Sequence, residues 1–182
     1  KVEAAEAFRI QKDYYRRYGT TMRGMMTEHG VSPDDFLAYV HDIDHSPLEP
    51  NPAMGQALAK LPGRKLILTN ASVAHADKVL ERLALGVTFD GVFDIISAEF
   101  EPKPARQTYR RFLDLHGVDA SRSAMFEDLA RNLAIPHELG MTTVLVVPDG
   151  TKKVVREAWE MEGRDAPHVD HVTEDLTGFL AH

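Results

Sequence analysis

The first fifty residues carry apolar positions at helical spacing and no run that is typical of a strand. Gly19 is predicted to end the first helix, because glycine is common just past a helix C-terminus. A second, short helix is predicted over residues 20–29. Ser32 predicts the start of a third helix, since its hydroxyl can cap and a proline follows in the first turn. Residues 1–50 are therefore predicted to form helices alone.

From residue 51 onward the pattern changes to short, continuous apolar runs that alternate with helices. Strands are predicted at 65–68, 92–96, 124–126, 142–147 and, more weakly, 168–172. Helices are predicted at 51–61, 72–85, 104–116, 129–139 with a bend at Pro136, from about Lys153, and at 174–180. Such alternation is typical of an α/β fold with a parallel sheet covered on both faces. These sheets bind ligands at the carboxyl ends of their strands, so the residues there are the first candidates for function.

Composition narrows the classes of protein to consider. The chain has 182 residues, of which 43% are hydrophobic and 27% charged, which fits one folded domain with at most a small appendage. A net charge of −7 argues against a nucleic-acid or anionic-membrane partner, but a phosphorylated small molecule needs only local positive charge. There is no cysteine and no apolar run of membrane-spanning length, so we expect a cytoplasmic protein.

Polar side chains follow the predicted strands at 65–68 and 92–96. Thr69 and Asn70 come directly after the first of these, where a hydroxyl, an amide and a helix N-terminus together can bind an anion. Lys103 lies between two prolines after the second, where it can neutralise a phosphate or a carboxylate. Taken alone, Thr69 is better explained as a strand end, with Ser72 as a helix cap, and Lys103 as a solvated loop residue.

Two adjacent acids, Glu127 and Asp128, follow the strand at 124–126. A pair of carboxylates at this edge of a sheet is costly unless a cation neutralises it, and Mg²⁺ prefers oxygen ligands of this kind. Asp128 can also cap the next helix, where an acidic residue is favoured in any case. The two interpretations are compatible.

The order of these signals is more specific than any one of them. Together with the flanking segments LILTNAS, FDGVFDIISAEFEPKP, MFEDLARNL and LGMTTVLV, it resembles the second, third and fourth motifs of the haloacid dehalogenase (HAD) superfamily. YGTTMRG and YVHDIDHSPLEPNP resemble the pyrimidine 5′-nucleotidase-like branch. The resemblance implies a HAD-like Rossmannoid α/β fold, with three layers formed by a parallel sheet between helices, and a helical cap. Residues 1–50 would form part of the cap, and residues 51–182 the core.

The resemblance also implies a reaction and a role for each matched residue. In this family an aspartate attacks the phosphorus and forms a phospho-aspartate, which water then hydrolyses. By resemblance, Thr69 and Asn70 contact the phosphoryl oxygens, and Lys103 holds the nucleophile and the phosphate charge. Asp128, with Glu127, binds Mg²⁺. The implied function is a magnesium-dependent phosphomonoester hydrolase, with nucleoside monophosphates as candidate substrates.

The family's nucleophile belongs to a DxDxT motif at the end of the central strand, and this sequence has no match to it. The one Asp-x-Asp, at Asp42 and Asp44, follows a predicted helix instead of a strand, so we assign it to a turn. We expect the natural protein to carry several tens of residues before Lys1, including the central strand. This chain alone is expected to be inactive by that mechanism, and its sheet to have a gap at the place of the central strand unless another segment or chain fills it.

In the predicted cap, Thr20, Thr21 and Arg23 are candidates for binding substrate, because a cap closes over the phosphate site; they fit an ordinary helix N-terminus equally well. The nine histidines show no metal-binding spacing and are interpreted as ordinary residues.

Two alternatives to the phosphatase remain. One is a non-catalytic, truncated binding or scaffold protein that keeps the fold. The other is a metal-free dehalogenase, which the acid pair at 127–128 disfavours because those relatives have serine-rich fourth motifs. The identity of the phosphate ester and the oligomeric state are not encoded in any pattern here.

Overall fold

The structure is a computed structural model, and it describes residues 2–86, 88–150, 158–160 and 162–182. The described helices, in chain order, are α1 (Ala4–Tyr18), α2 (Thr21–His29), α3 (Pro33–Val40), α4 (Pro52–Lys60), α5 (Val73–Arg82), α6 (Arg106–His116), α7 (Ala134–Glu138) and α8 (Leu176–Ala181). The strands are β1 (Leu66–Leu68), β2 (Gly91–Phe93), β3 (Ala124–Glu127), β4 (Thr142–Val146) and β5 (His171–Thr173). The predicted α/β fold with parallel strands is confirmed.

By its internal contacts the chain divides into two compact units. The first comprises Lys1–Asn51 and Arg64–Lys103, and the second Pro52–Gly63 and Pro104–His182. The helices of residues 1–50 thus share a unit with β1, α5 and β2. The division into a cap and a core at about residue 50 stays a prediction.

The helices of residues 1–50 begin and end close to where the sequence predicted. Gly19 follows α1 in the left-handed region at φ +83°, which costs glycine nothing. Thr20 caps α2, its hydroxyl accepting from Arg23 N, and Ser32 caps α3 by accepting from Asp35 N. A small core joins α2 and α3 to the turn after β2, and its members are Met22, Leu37 and Ile95, with Met26, Phe36 and Phe100 around them.

The strands of each unit are parallel. In the first unit β1 pairs with β2, with Leu66 opposite Gly91 and Leu68 opposite Phe93. In the second unit β4 lies between β3 and β5. The described strands form two sheets, β1–β2 and β3–β4–β5, and the gap predicted at the place of the central strand stays a prediction.

Several element boundaries differ from the prediction. Helix α5 ends at Arg82, not near residue 85, because Ala84 takes a positive φ of 58° that no helix can contain. Strand β2 ends at Phe93, since the next residue, Asp94, bonds backbone N–H groups and starts a turn. Strand β5 begins at His171 and not at 168.

The helix predicted over 129–139 is two pieces. A 3-10 turn at Ala130–Asn132 precedes α7, and the break falls at Leu133. Pro136 lies in the first turn of α7, where its missing N–H has no intrahelical partner to lose. The helix predicted from about Lys153 lies outside the described residues. Among the described helices, none is long and apolar enough to cross a bilayer.

Candidate functional site

The loop after β1 and the loop after β2 meet in the first unit through Asn70 and Lys103. Lys103 N donates to Asn70 Oδ1 at 2.8 Å, and Asn70 Nδ2 approaches Lys103 O at 3.4 Å. The Lys103 amine donates to Leu68 O, the last carbonyl of β1, at 3.0 Å. Two positions that the sequence placed at separate strand ends are therefore brought together.

Thr69 lies at the same strand end. Its backbone N–H donates to Phe93 O at 2.9 Å, which continues the β1–β2 pairing by one residue. Its Oγ1 accepts from Ala71 N at 3.0 Å. That contact uses the hydroxyl oxygen as an acceptor, so its hydrogen is the part that can donate to an anion.

Asp94 is a residue of this region that sequence reasoning missed. It is buried, with 4% of its surface exposed, and follows β2 directly. Its carboxylate accepts from Val73 N at 3.2 Å and from Ser97 N at 2.8 Å, which holds the first residue of α5 against the turn after β2. A charged residue inside the predicted strand at 92–96 was the available signal, because a buried carboxylate needs partners.

The segment before Lys103 is strained. Glu99 and Phe100 have φ of 54° and 59°, which is uncommon for residues other than glycine. Phe100 packs against the core of this unit, and its carbonyl accepts from Arg23 Nη1 at 3.2 Å. Arg23, predicted to bind substrate, thus has a contact that supports the loop leading to Lys103.

Thr20 and Thr21 lie near that loop because of Gly19. A Cβ placed on Gly19 would come 3.1 Å from Pro102 Cγ and 3.2 Å from Lys103 O, so the backbones approach closely there. Thr20 and Thr21 line an open cavity of about 250 Å³, together with Gln11, Lys12 and Tyr15. Their role in substrate binding stays a prediction.

The predicted metal residues belong to the second unit. Glu127 is the last residue of β3 and is buried, whereas Asp128 follows it and is exposed. Asn132, four residues on, is 5% exposed, and its Oδ1 has no hydrogen-bond partner among the described residues. Its backbone carbonyl accepts from the Tyr109 hydroxyl at 2.7 Å. Burial, with the Glu127 carboxylate, raises the pKa of Tyr109 above its ordinary value, so this phenol stays a neutral donor.

Three histidines that are far apart in the sequence come together in the structure. Three of the nine, His41, His45 and His75, meet in the first unit although the sequence separates them by up to 34 positions. Sequence spacing does not indicate this cluster, since the rings come from the residue after α3, a loop and α5. Across the described residues, no three His, Asp or Glu side chains are grouped so as to hold a metal ion. The predicted turn at Asp44 is confirmed, as its carboxylate accepts from Ser46 N at 2.8 Å.

Thr69 and Asn70 follow β1, and Glu127 and Asp128 lie at the end of β3, so polar and acidic side chains lie at the carboxyl ends of parallel strands in an α/β fold. A model of the haloacid dehalogenase-like hydrolases matches residues 4–139. The chain therefore belongs to the haloacid dehalogenase-like hydrolases. The superfamily predicted from the motifs is confirmed, and the pyrimidine 5′-nucleotidase-like branch stays a prediction.

Solved structures share the fold. One is a dehalogenase in an intermediate complex, 16% identical, with 97% of this chain and 84% of that chain covered and a TM-score of 0.60. An L-2-haloacid dehalogenase from Xanthobacter autotrophicus with covalently bound chloropropionic acid is 19% identical, with 90% of this chain and 74% of that chain covered and a TM-score of 0.60. A haloacid dehalogenase-like protein of unknown function from Agrobacterium tumefaciens is 15% identical, with 97% of this chain and 89% of that chain covered and a TM-score of 0.52. At these identities the likeness is one of fold.

Proposed function

We propose that this protein is a magnesium-dependent phosphomonoester hydrolase of the cytoplasm, acting on phosphorylated small molecules through a phospho-aspartate. Nucleoside monophosphates are the first substrate class to test. The observation that carries the proposal is the acid pair Glu127–Asp128 at the carboxyl end of β3, followed by the unpartnered, buried oxygen of Asn132.

The donor set of that segment fits Mg²⁺. Mg²⁺ takes one or two carboxylates from a protein and completes its coordination with waters and substrate oxygens. Asp128 is exposed and available to water, while Glu127 is buried beside it and accepts from Asp128 N at 3.1 Å. The side-chain Oδ1 of Asn132 is a neutral acceptor whose burial without a partner is costly, and a hydrated cation nearby would relieve that cost. When bound, Mg²⁺ supplies positive charge that stabilises the developing charge on the phosphoryl oxygens.

The residues of the first unit support the same chemistry. Phosphoryl transfer depends mainly on positioning the phosphoryl group and neutralising its charge. Thr69 offers a hydroxyl donor at the end of β1, and the Lys103 amine, 3.0 Å from Leu68 O, offers a positive charge at the same strand end. The Asn70 amide holds the backbone of Lys103, which fixes where that side chain starts.

The test is hydrolysis of p-nitrophenyl phosphate and of nucleoside monophosphates by the natural full-length protein, with and without Mg²⁺. Lys103→Ala is expected to lower kcat by about 100-fold or more, as loss of a charge-stabilising group does. Asp128→Asn is expected to weaken the Mg²⁺ dependence, and Asp114→Asn, at an exposed position of α6, is the matched control. Hydrolysis that is independent of Mg²⁺, or unchanged in Lys103→Ala, would contradict the proposal.

A metal-free dehalogenase is the second candidate, because the solved structures that share the fold include haloacid dehalogenases. Its test is chloride release from 2-chloropropionate in the presence of EDTA. Release of chloride without phosphate hydrolysis would favour this function. A full-length protein that turns over neither substrate would favour the third alternative, a non-catalytic binding or scaffold protein.

A further inference from the structure

His41, Ser72 and His75 form a chain of contacts at the N-terminus of α5. His41 follows the last residue of α3, and its ring stacks on the ring of His75, with centroids 4.3 Å apart and planes 19° apart. His41 Nδ1 lies 3.0 Å from Ser72 Oγ. Ser72 Oγ also accepts from His75 N, so the serine that caps α5 is the serine that contacts His41.

Ser72 belongs to the loop that carries Thr69 and Asn70, and each neighbour in that loop has its own anchor. Asn70 bonds the backbone of Lys103, Ala71 O accepts from Ile95 N at 3.1 Å, and Val73 N donates to Asp94. Those anchors all come from β2 and the segment after it. Ser72 is held by His41, which comes from the end of α3. The position of the loop therefore depends on a side chain from the helical region at 1–50.

The charge state of His41 decides how well this contact fits. A neutral ring with Nδ1 unprotonated can accept the Ser72 hydroxyl proton, which leaves the serine oxygen to cap α5. A protonated ring would place a positive charge at the positive end of the helix dipole. Burial lowers the pKa of His41 below its ordinary value, and the positive charges of His75, Lys78 and His45 act in the same direction.

Other charged groups adjoin the cluster, including the Asp94 carboxylate, which accepts from Val73 N next to Ser72. Burial lowers the pKa of His75 as well, with His45 and Lys78 as further causes. Next to His45, the Asp44 carboxylate accepts hydrogen bonds from Ser46 N and Ser46 Oγ. Arg82 donates to the backbone carbonyl of His45 at 3.2 Å. The causes that act on the pKa values of His41 and His75 are burial and positive charges, which favours the uncharged stack.

We propose that His41, supported by the stacked His75 ring and acting through Ser72, is a positioning residue for the Thr69–Asn70 loop, and that it does so as the neutral imidazole. Acidification breaks the Ser72 contact and shifts the loop. The consequence for catalysis rests on the proposed function, whereas the structural consequence does not.

The structural test is NMR on the isotopically labelled chain between about pH 8 and pH 5, which spans the ordinary titration range of histidine. The backbone amide resonances of Asn70 and Ala71 are expected to shift with the midpoint of the His41 ring. His41→Asn keeps an acceptor at the place of Nδ1 and cannot titrate, so those resonances should stay at their neutral-pH positions throughout. His41→Phe keeps a ring for the stack but has no acceptor, so the resonances should be displaced at every pH. His29→Asn, at the exposed end of α2, is the control and should follow the wild type.

The catalytic test uses the full-length protein. His41→Phe is expected to lower kcat by about tenfold with KM little changed, as displacement of a group that binds the transition state does. His41→Asn should have a kcat close to that of the wild type at neutral pH. It should also lack the part of the fall in kcat at acidic pH that the protonation of His41 causes. Asn70 and Ala71 resonances that ignore the titration of His41, or a His41→Phe spectrum like that of the wild type, would overturn the proposal. If the wild type hydrolyses no phosphate ester, the proposed function fails while the NMR result still decides the positioning role.

Discussion

The side-chain amide of Asn70 and the backbone of Lys103 form a two-point pair, with Lys103 N donating to Asn70 Oδ1 at 2.8 Å and Asn70 Nδ2 lying 3.4 Å from Lys103 O. The pair joins two loops 33 residues apart in sequence. It gives Asn70 a structural task that does not require the amide to touch a substrate. The same pair fixes the backbone from which the Lys103 side chain extends.

Removing both hydrogen bonds of this pair should destabilise the first unit. Asn70→Leu is expected to lower the free energy of unfolding by about 1–3 kcal/mol, because it leaves a partly buried backbone N–H without its partner. Asn70→Asp keeps the acceptor for Lys103 N and should lose less. Urea denaturation measures both variants. An equal loss in the two would show that the bond from Lys103 N contributes nothing.

The packing of α2 against α1 should be sensitive to a single methyl group at Gly24. A Cβ there would come 2.4 Å from Tyr14 Cγ, closer than two non-bonded carbon atoms can approach. Gly24→Ala is therefore expected to cost about 1–3 kcal/mol through overpacking. Gly86→Ala is the matched control, since a Cβ at Gly86 meets nothing within 4 Å. Thermal unfolding that is the same in both variants would contradict this account of the α1–α2 contact.

Stability should fall on acidification because of His41 and His75. Both pKa values are lowered in the folded state from the ordinary 6.5, mainly by burial, so the unfolded chain binds more protons at these sites. Their contribution is fully present above about pH 6.5 and is lost as the pH falls through the lower, folded pKa values. The double variant His41→Asn, His75→Asn should show a shallower fall of the unfolding free energy between about pH 7 and pH 5. The measurement is urea denaturation across that range, and an unchanged slope would exclude the pair as its cause.

The unpartnered side-chain oxygen of Asn132 should lower the stability of the metal-free protein and strengthen its binding of Mg²⁺. Asn132→Leu removes a buried acceptor whose burial is uncompensated, so without Mg²⁺ the variant should be as stable as the wild type or more stable by about 1 kcal/mol. Calorimetric titration of the full-length protein should at the same time show weaker Mg²⁺ binding. A variant that is clearly less stable without metal, and binds Mg²⁺ as the wild type does, would remove Asn132 from the site.

Local sequence chemistry predicted most element boundaries in the first fifty residues. Gly19 and Ser32 mark helix ends because their effects act within one turn of the backbone, whatever the rest of the chain does. The strand predicted at 92–96 ends earlier, at Phe93, because of a contact that is distant in sequence. Asp94 ends β2 by bonding Val73 N, a group 21 residues away, and no local pattern contains that partner.

The sequence by itself determined the superfamily, the parallel α/β class and the order of Thr69, Lys103 and Asp128 along the chain. These signals depend on periodicity, helix caps and motif order, which can be recognised without knowing which residues meet in space. The tertiary structure alone decided which side chains meet. It brought Asn70 to Lys103, Arg23 to Phe100 O, and His41 to Ser72 and His75. Such contacts depend on long-range packing and on the burial that goes with it, and burial is also what sets the charge state of His41.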